Sequence, residues 1–161
     1  MTQKEISIRY TAFESESELP AEIQTLLVEA EKALDMAYSP YSGFQVGAAI
    51  QLSNGEIITG ANQENAAYPS GLCAERTAIY YAGAHFPAEQ IQMVAVVARK
   101  SGTDSLVPAC PCGACRQAML EYELRQKSPI ALVFKQNRPG FVYVESVSDT
   151  LPFKFDADSL R

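Results

Sequence analysis

The sequence predicts an α/β fold in three layers, α/β/α, around a mixed sheet of about five strands. Three observations carry that expectation. Apolar residues recur at helical spacing in the first third of the chain, alternate around an Asn54-Gly55 turn, and form short buried-strand runs between later helical stretches. A helix, a hairpin and then strand–helix alternation place helices on both faces of one sheet. With 161 residues, 47% hydrophobic and 20% charged, the chain fits one domain that buries its own core.

Residues 1–20 read as an N-terminal extension. Ile6, Ile8 and Tyr10 alternate with Ser7 and Arg9, the pattern of a short strand, and an acidic stretch from Glu14 to Glu18 follows. The main domain is expected over 21–161. Pro20 opens a helix whose Ile23, Leu26, Leu27, Ala30, Ala33, Leu34 and Ala37 share one face. Ser39-Pro40 closes it, because the residue before proline avoids the α region. Phe44, Val46, Ala48, Ile50 and Leu52 alternate through a strand, Asn54-Gly55 turns, and Ile57 to Gly60 starts the return.

A loop of small and polar residues, Asn62 to Gly71, leads into a second helix over about Cys73 to Gly83. Met93 to Ala98 reads as a fully buried strand. A third helix starts at Cys112 and runs to about Arg125. Ile130 to Phe134 and Phe141 to Val144 are the last strands, with Asn137-Arg138-Pro139-Gly140 as the turn between them. No run approaches the roughly 18–20 apolar residues of a membrane span, and Met1 to Tyr10 has no signal-peptide core. A cytoplasmic protein without a membrane partner is expected.

The net charge of −6, with 13 Lys and Arg against 19 Asp and Glu, weighs against a long nucleic acid as partner. Binding a phosphate backbone draws on a basic stripe, and here the cations are scattered.

The chemistry concentrates at the cysteines. Three of the four fall within Cys110-Pro-Cys112-Gly-Ala-Cys115, and the fourth opens Cys73-Ala-Glu75. Both clusters stand where a loop hands over to a helix, whose free N–H groups and positive dipole end favour thiolate over thiol. Cys112 and Cys115 are three apart in a first helical turn, so both sulfurs can face one point, and Cys73 can supply a third ligand. Three protein ligands with one open position is the arrangement of a catalytic zinc. The same spacing is the signature of zinc-dependent deaminases in their all-cysteine form. Glu75 should face the open position, where a carboxylate can move protons. Arg76 is the cation placed to draw off the excess negative charge of three thiolates, unless it forms an ordinary surface ion pair.

Two rivals compete. A dithiol redox protein would use Cys112-Gly-Ala-Cys115, but it leaves Cys73-Ala-Glu75 without a role, and Pro111 stands where such motifs carry an aromatic. A structural four-cysteine zinc site would add Cys110, which sits only two residues before Cys112, a tight spacing for one ion. Cys110 is expected to be a free buried thiol. His85, the single histidine, lies beyond the second helix and away from the cluster.

Three segments together resemble the small homotetrameric cytidine deaminases: Ser39-Pro-Tyr-Ser-Gly-Phe-Gln-Val-Gly-Ala48, Asn62-Gln-Glu-Asn-Ala-Ala-Tyr-Pro69 with Cys73-Ala-Glu-Arg76, and Pro111-Cys-Gly-Ala-Cys-Arg-Gln117. The resemblance spans about Pro20 to Phe155. It implies one Zn²⁺ per subunit and hydrolysis of cytidine and deoxycytidine to uridine and deoxyuridine plus ammonia, a pyrimidine salvage reaction. It also implies that Asn62 and Glu64 grip the ribose, that Phe44 packs on the pyrimidine, and that Ala74 offers its N–H to the base. Tyr68 would lie near the ribose. Leu151-Pro-Phe-Lys-Phe155 resembles the family's carboxy-terminal segment, which implies that Phe155 reaches the active site of a neighbouring subunit in a homotetramer. The first 20 residues and the polar stretch Ser146 to Thr150 depart from the family pattern.

Overall fold

The computed structural model describes residues 1–138 and 140–160. Pro139, one of the expected turn residues, lies outside them. The chain runs β1 (Thr11–Phe13), α1 (Ala21–Ala33), β2 (Phe44–Leu52), β3 (Ile57–Ala61), α2 (Ala74–His85), β4 (Ile91–Lys100), β5 (Leu106–Val107), α3 (Gly113–Gln126), β6 (Ala131–Lys135) and β7 (Phe141–Val144). The strand order is β1-β7-β6-β4-β2-β3, with β5 paired to β4. Among the strands of the described residues, β4 and β6 alone run parallel and the other strand pairs are antiparallel.

The three layers follow from the period-2 alternation of the central strands. In β2 and β4, Ala48, Ile50, Val94 and Val96 join Ala78, Ile79, Met119 and Leu120 of α2 and α3 in one buried cluster. Ala49, Ala95 and Val97 point the other way and pack with Ile23, Leu26, Leu27 and Ala30 of α1. Gly47 lets α1 approach β2, because a Cβ there would stand 2.0 Å from the Ala30 carbonyl oxygen.

Five of the strands match the expected sheet, and two short ones, β1 and β5, bring the count to seven. The amino-terminal strand is displaced from its expected place. Ile6, Ile8 and Tyr10 alternate but are exposed and outside any strand, whereas Thr11–Phe13 pairs with β7. Pairing wins where a partner exists: Gly140 N donates to the Phe13 carbonyl at 2.9 Å, and Phe13 and Leu19 pack into the α1-side cluster. The first helix also ends early. It tightens into a 3-10 turn over Leu34–Met36, so Ala37 lies past the helix. Tyr38 instead pairs with the loop after β3: its N–H donates to Asn62 O, and its carbonyl accepts from Glu64 N, each at 2.9 Å.

No helix among the described residues is long and apolar enough to cross a membrane.

The α1–β2 approach yields a stability prediction. Gly47→Ala should destabilise the fold by about 1–3 kcal/mol, because the new methyl meets backbone that can move only with the whole helix. Denaturant unfolding checks it, and an unchanged midpoint would show that α1 adjusts freely.

Candidate active site

Two helix starts meet at one end of the core. Cys73 is the residue just before α2 and Cys112 the residue just before α3, and both have extended backbones. Cys115 lies within the first turn of α3 and is fully buried. The Sγ atoms of Cys73, Cys112 and Cys115 all lie within 4.8 Å of one another. Cys112 Sγ and Cys115 Sγ are 3.6 Å apart, close to the ~3.8 Å edge of a tetrahedron of sulfurs at about 2.3 Å from a zinc ion. The donor set therefore fits zinc by both chemistry and spacing.

The charges around the sulfurs are consistent with this. Arg76 Nη2 donates to Cys73 Sγ at 3.4 Å. The Cys115 thiol and the Arg76 guanidinium stabilise the Cys73 thiolate and bring its pKa down to about 5, against the opposing effect of burial. Cys115 moves the other way: its hydrogen bond to Cys73 and its burial hold the proton on it. A cation at the cluster would favour the ionised form of both thiols. Arg76 holds its own proton more firmly beside the Cys73 sulfur, and its buried Nε has no protein partner.

Glu75 is 5% exposed. Burial raises its pKa, and the Cys73 negative charge adds to that. A carboxylate so placed takes up and releases protons nearer neutral pH than an exposed one.

Cys73, Glu75 and Cys112 line a cavity of about 710 Å³, within the usual size range of small-molecule sites. Phe44, Asn62, Glu64, Tyr68, Ala74 and Arg76 line it too. The loop carrying Asn62 and Glu64 is braced on both sides. Besides its Tyr38 bonds, Gln63 exchanges two backbone hydrogen bonds of 2.8 Å with Leu72. Asn62 Oδ1 accepts from Val46 N at 2.8 Å and its Nδ2 donates to Phe44 O at 2.9 Å. Glu64 accepts from the N–H groups of Tyr41 and Ser42 at 3.0 and 3.2 Å. Hydrogen bonds from Ser42 and the Tyr41 backbone hold its carboxyl below the usual range. Tyr68 opens a 3-10 turn and is almost wholly exposed.

One expected feature lies elsewhere. Cys110 is exposed rather than buried. It lines the cavity, and its sulfur accepts from Arg116 Nη2 at 2.7 Å. The spacing that set it apart from the ligands also turns it outward, while Pro111 is buried in its place. Phe155 does not line the cavity of its own chain and is 59% exposed. His85 stacks on Tyr81 at the far end of α2. The residues that sequence reasoning left without a role are Tyr41, Ser42 and Arg116. The Ser39-Pro-Tyr-Ser-Gly segment signalled the first two. The turn there needs the positive φ of Gly43, +62°, to swing two N–H groups toward Glu64.

Comparison with known proteins decides the family. The cytidine and deoxycytidylate deaminase zinc-binding region matches residues 20–129, more than half of the chain. The chain belongs to this deaminase family. It is 41% identical over 138 residues to the cytidine deaminase of Halalkalibacterium halodurans, covering 86% of this chain and 97% of the relative. A second cytidine deaminase, from Sporosarcina psychrophila, is 37% identical, covering 86% and 95%. Among solved structures, the cytidine deaminase of Burkholderia pseudomallei superposes with a TM-score of 0.68 at 35% identity, covering 85% of this chain and all of that one. Zinc is the metal of this deaminase domain, and the three-sulfur cluster is where the chain can hold it.

The site predicts a clean division among the cysteines. Cys73→Ala, Cys112→Ala and Cys115→Ala should each lose most bound zinc, while Cys110→Ser keeps it. Metal analysis of the four purified variants checks this, and zinc-free Cys110→Ser would place Cys110 among the ligands.

Proposed function

We propose that this deaminase hydrolyses the C4 amine of cytidine and deoxycytidine, releasing ammonia and the matching uracil nucleoside. The observation that carries the reading is Glu75, a buried carboxylate with a raised pKa, set beside three converging sulfurs in the wall of a cavity. The cytidine deaminases at 41% and 37% identity, aligned over nearly their whole length, support the substrate class.

Cys73, Cys112 and Cys115 would hold the zinc. When bound, zinc supplies Lewis acidity that brings the pKa of a water toward about 7. Glu75 takes a proton from the attacking water and delivers it to N3 of the pyrimidine as oxygen adds at C4. It then carries the second proton to the departing amine, so the carboxylate ends the cycle as it began. Ala74, first in α2, presents its N–H to the base, where the free N–H groups of a helix start are available. Arg76 offsets the net negative charge that three thiolates leave around a divalent ion.

Phe44 packs on the pyrimidine from the start of β2. Asn62 and Glu64 grip the ribose. Each already has hydrogen bonds to the backbone of residues 41–46, yet an amide and a carboxylate keep donor and acceptor positions free for a sugar hydroxyl. Tyr68 stands at the rim near the ribose. Residues 21–161 form the catalytic domain and residues 1–20 the extension, a boundary supported by the family match starting at residue 20. Four cysteines outside disulfides suit a reducing, cytoplasmic setting and a role in pyrimidine salvage.

The active site is completed across a homotetramer, with Phe155 inserted into a neighbour's cavity. Its 59% exposure in the single chain supports this, because a large apolar ring left outside its own core gains by burial against a partner.

Purified protein incubated with cytidine should lose the substrate's ultraviolet absorption, and removal of zinc by a chelator should stop the loss. Unchanged absorption in a zinc-loaded preparation would overturn the reading. Glu75→Gln should keep fold and zinc but lower turnover by about 10²–10⁴-fold, the usual worth of general acid–base catalysis; near-normal turnover would remove Glu75 from the chemistry.

Sharing of the site predicts complementation. Glu75→Gln and Phe155→Ala, each impaired alone, should regain activity when mixed subunits are dissociated and reassembled. No recovery after demonstrated exchange would return Phe155 to its own subunit.

A further inference from the structure

Two charged side chains are buried among the described residues, Glu75 and Glu123. The chemistry uses the first and has no place for the second. Glu123 lies two turns beyond Cys115 on the same buried stripe of α3, at 6% exposure. Neither of the two ion pairs among the described residues involves it. Four hydrogen-bond donors surround its carboxylate instead. Oε2 accepts from Ile130 N and Val147 N, both at 2.9 Å. Oε1 accepts from Ser146 Oγ at 2.8 Å and Ser148 N at 3.1 Å.

Burying a carboxylate without a cation is costly unless its acceptor positions are filled, and these are. What the arrangement secures is geometry. One side chain joins α3 to the entry of β6 and to the 3-10 turn Val147–Thr150, the turn from which the carboxy-terminal segment departs. Two further side chains of α3 hold that segment downstream. Arg116 Nη1 donates to Thr150 O at 3.3 Å, and Gln117 Nε2 donates to Phe155 O at 2.8 Å. Both residues directly follow Cys115. The helix that carries two of the three sulfurs therefore also fastens the segment carrying Phe155, and Glu123 is its deepest attachment.

We propose that Glu123 is a positioning residue for the deaminase reaction. By holding Ser146–Ser148 it sets the path of residues 151–155, and with it the point from which Phe155 meets the neighbouring site. The last link rests on the shared-site reading of Phe155; the hold on the segment does not.

The test uses the full-length, zinc-loaded enzyme carrying Glu123→Gln. The amide keeps the shape but must turn its NH₂ toward one pair of the four donors. Amide hydrogen exchange should quicken by roughly tenfold or more at the hydrogen-bonded amides of Val147, Ser148, Asp149 and Leu151, while residues 113–120 and the zinc content stay as in the parent. KM for cytidine should rise about three- to tenfold, the scale of one displaced aromatic contact, with kcat within about twofold. Adding Glu123→Gln to Phe155→Ala should raise KM no further, since residues acting through one contact are not additive.

Faster exchange confined to 147–148, or full additivity of the two substitutions, overturns the proposal. Phe155→Ala that leaves cytidine kinetics unchanged instead removes the shared-site reading, and exchange at Leu151 then decides the hold on the segment alone. If Glu123→Gln does not fold, Ser146→Ala, which deletes one of the four bonds, is judged by the same exchange pattern and the same KM cycle.

Discussion

Two helix amino termini are brought side by side so that three sulfurs meet, and much of the structure follows from that constraint. Cys73 and Cys112 each sit one residue before a helix, where the backbone is still extended. Their side chains can converge only if α2 and α3 lie on the same face of the sheet and start at the same end. The sheet arranges this. β3 feeds α2 from one side, β4 and β5 lead into α3 from the other, and the long antiparallel pair β2–β4 keeps the two exits in register. The small residues at the contact, Ala48, Ala74 and Ala78, are all fully buried and let the helix start lie close to the strands.

The electrostatics depend on the same geometry. Thiolates gathered at one point repel, and the apolar core beside them disfavours charge. Two dipole ends and the Arg76 guanidinium act in the opposite sense. The conflict shows in the two thiols: hydrogen bonds with Cys115 and Arg76 pull Cys73 toward ionisation, while the bond to Cys73 and burial hold Cys115 back. The buried Glu75 answers to the same field, and the Cys73 charge helps keep its carboxyl protonated. A divalent cation at the cluster would favour three ionised thiols and an ionised glutamate.

How much of this the sequence discloses varies with the range of the interaction. Local periodicity marks α1 and β2, each with a repeating apolar face; short apolar runs mark β4, β6 and β7, and turn-rich stretches before them place α2 and α3. The proposed ligands and Glu75 stand in two short motifs, Cys73-Ala-Glu75 and Cys112-Gly-Ala-Cys115, and the fold brings the three sulfurs within 4.8 Å of one another. The amino-terminal strand is misplaced because alternation records only a willingness to pair; Ile6, Ile8 and Tyr10 alternate better than Thr11–Phe13, but the partner strand lies beside the latter. β5, two residues long, is too short to show any period. Cys110 reads as buried from residue type alone, whereas the thiol is exposed and the neighbouring Pro111 is buried. Glu123 is hidden for a different reason. A glutamate late in a helix looks like surface, and its four donors come from segments 7 to 25 residues away in the chain.

Glu75 and Glu123 are buried carboxylates, and the difference between them is what surrounds each. Glu123 has a protein donor for every acceptor position, which makes it rigid and chemically idle. Glu75 borders a cavity beside three converging sulfurs and shares a hydrogen bond with Cys115. Glu75 thus stands in the cavity wall at the start of α2, while Glu123 lies two turns beyond Cys115 along α3. The latter joins α3 to the chain's last segment, and the two roles do not compete for the same donors.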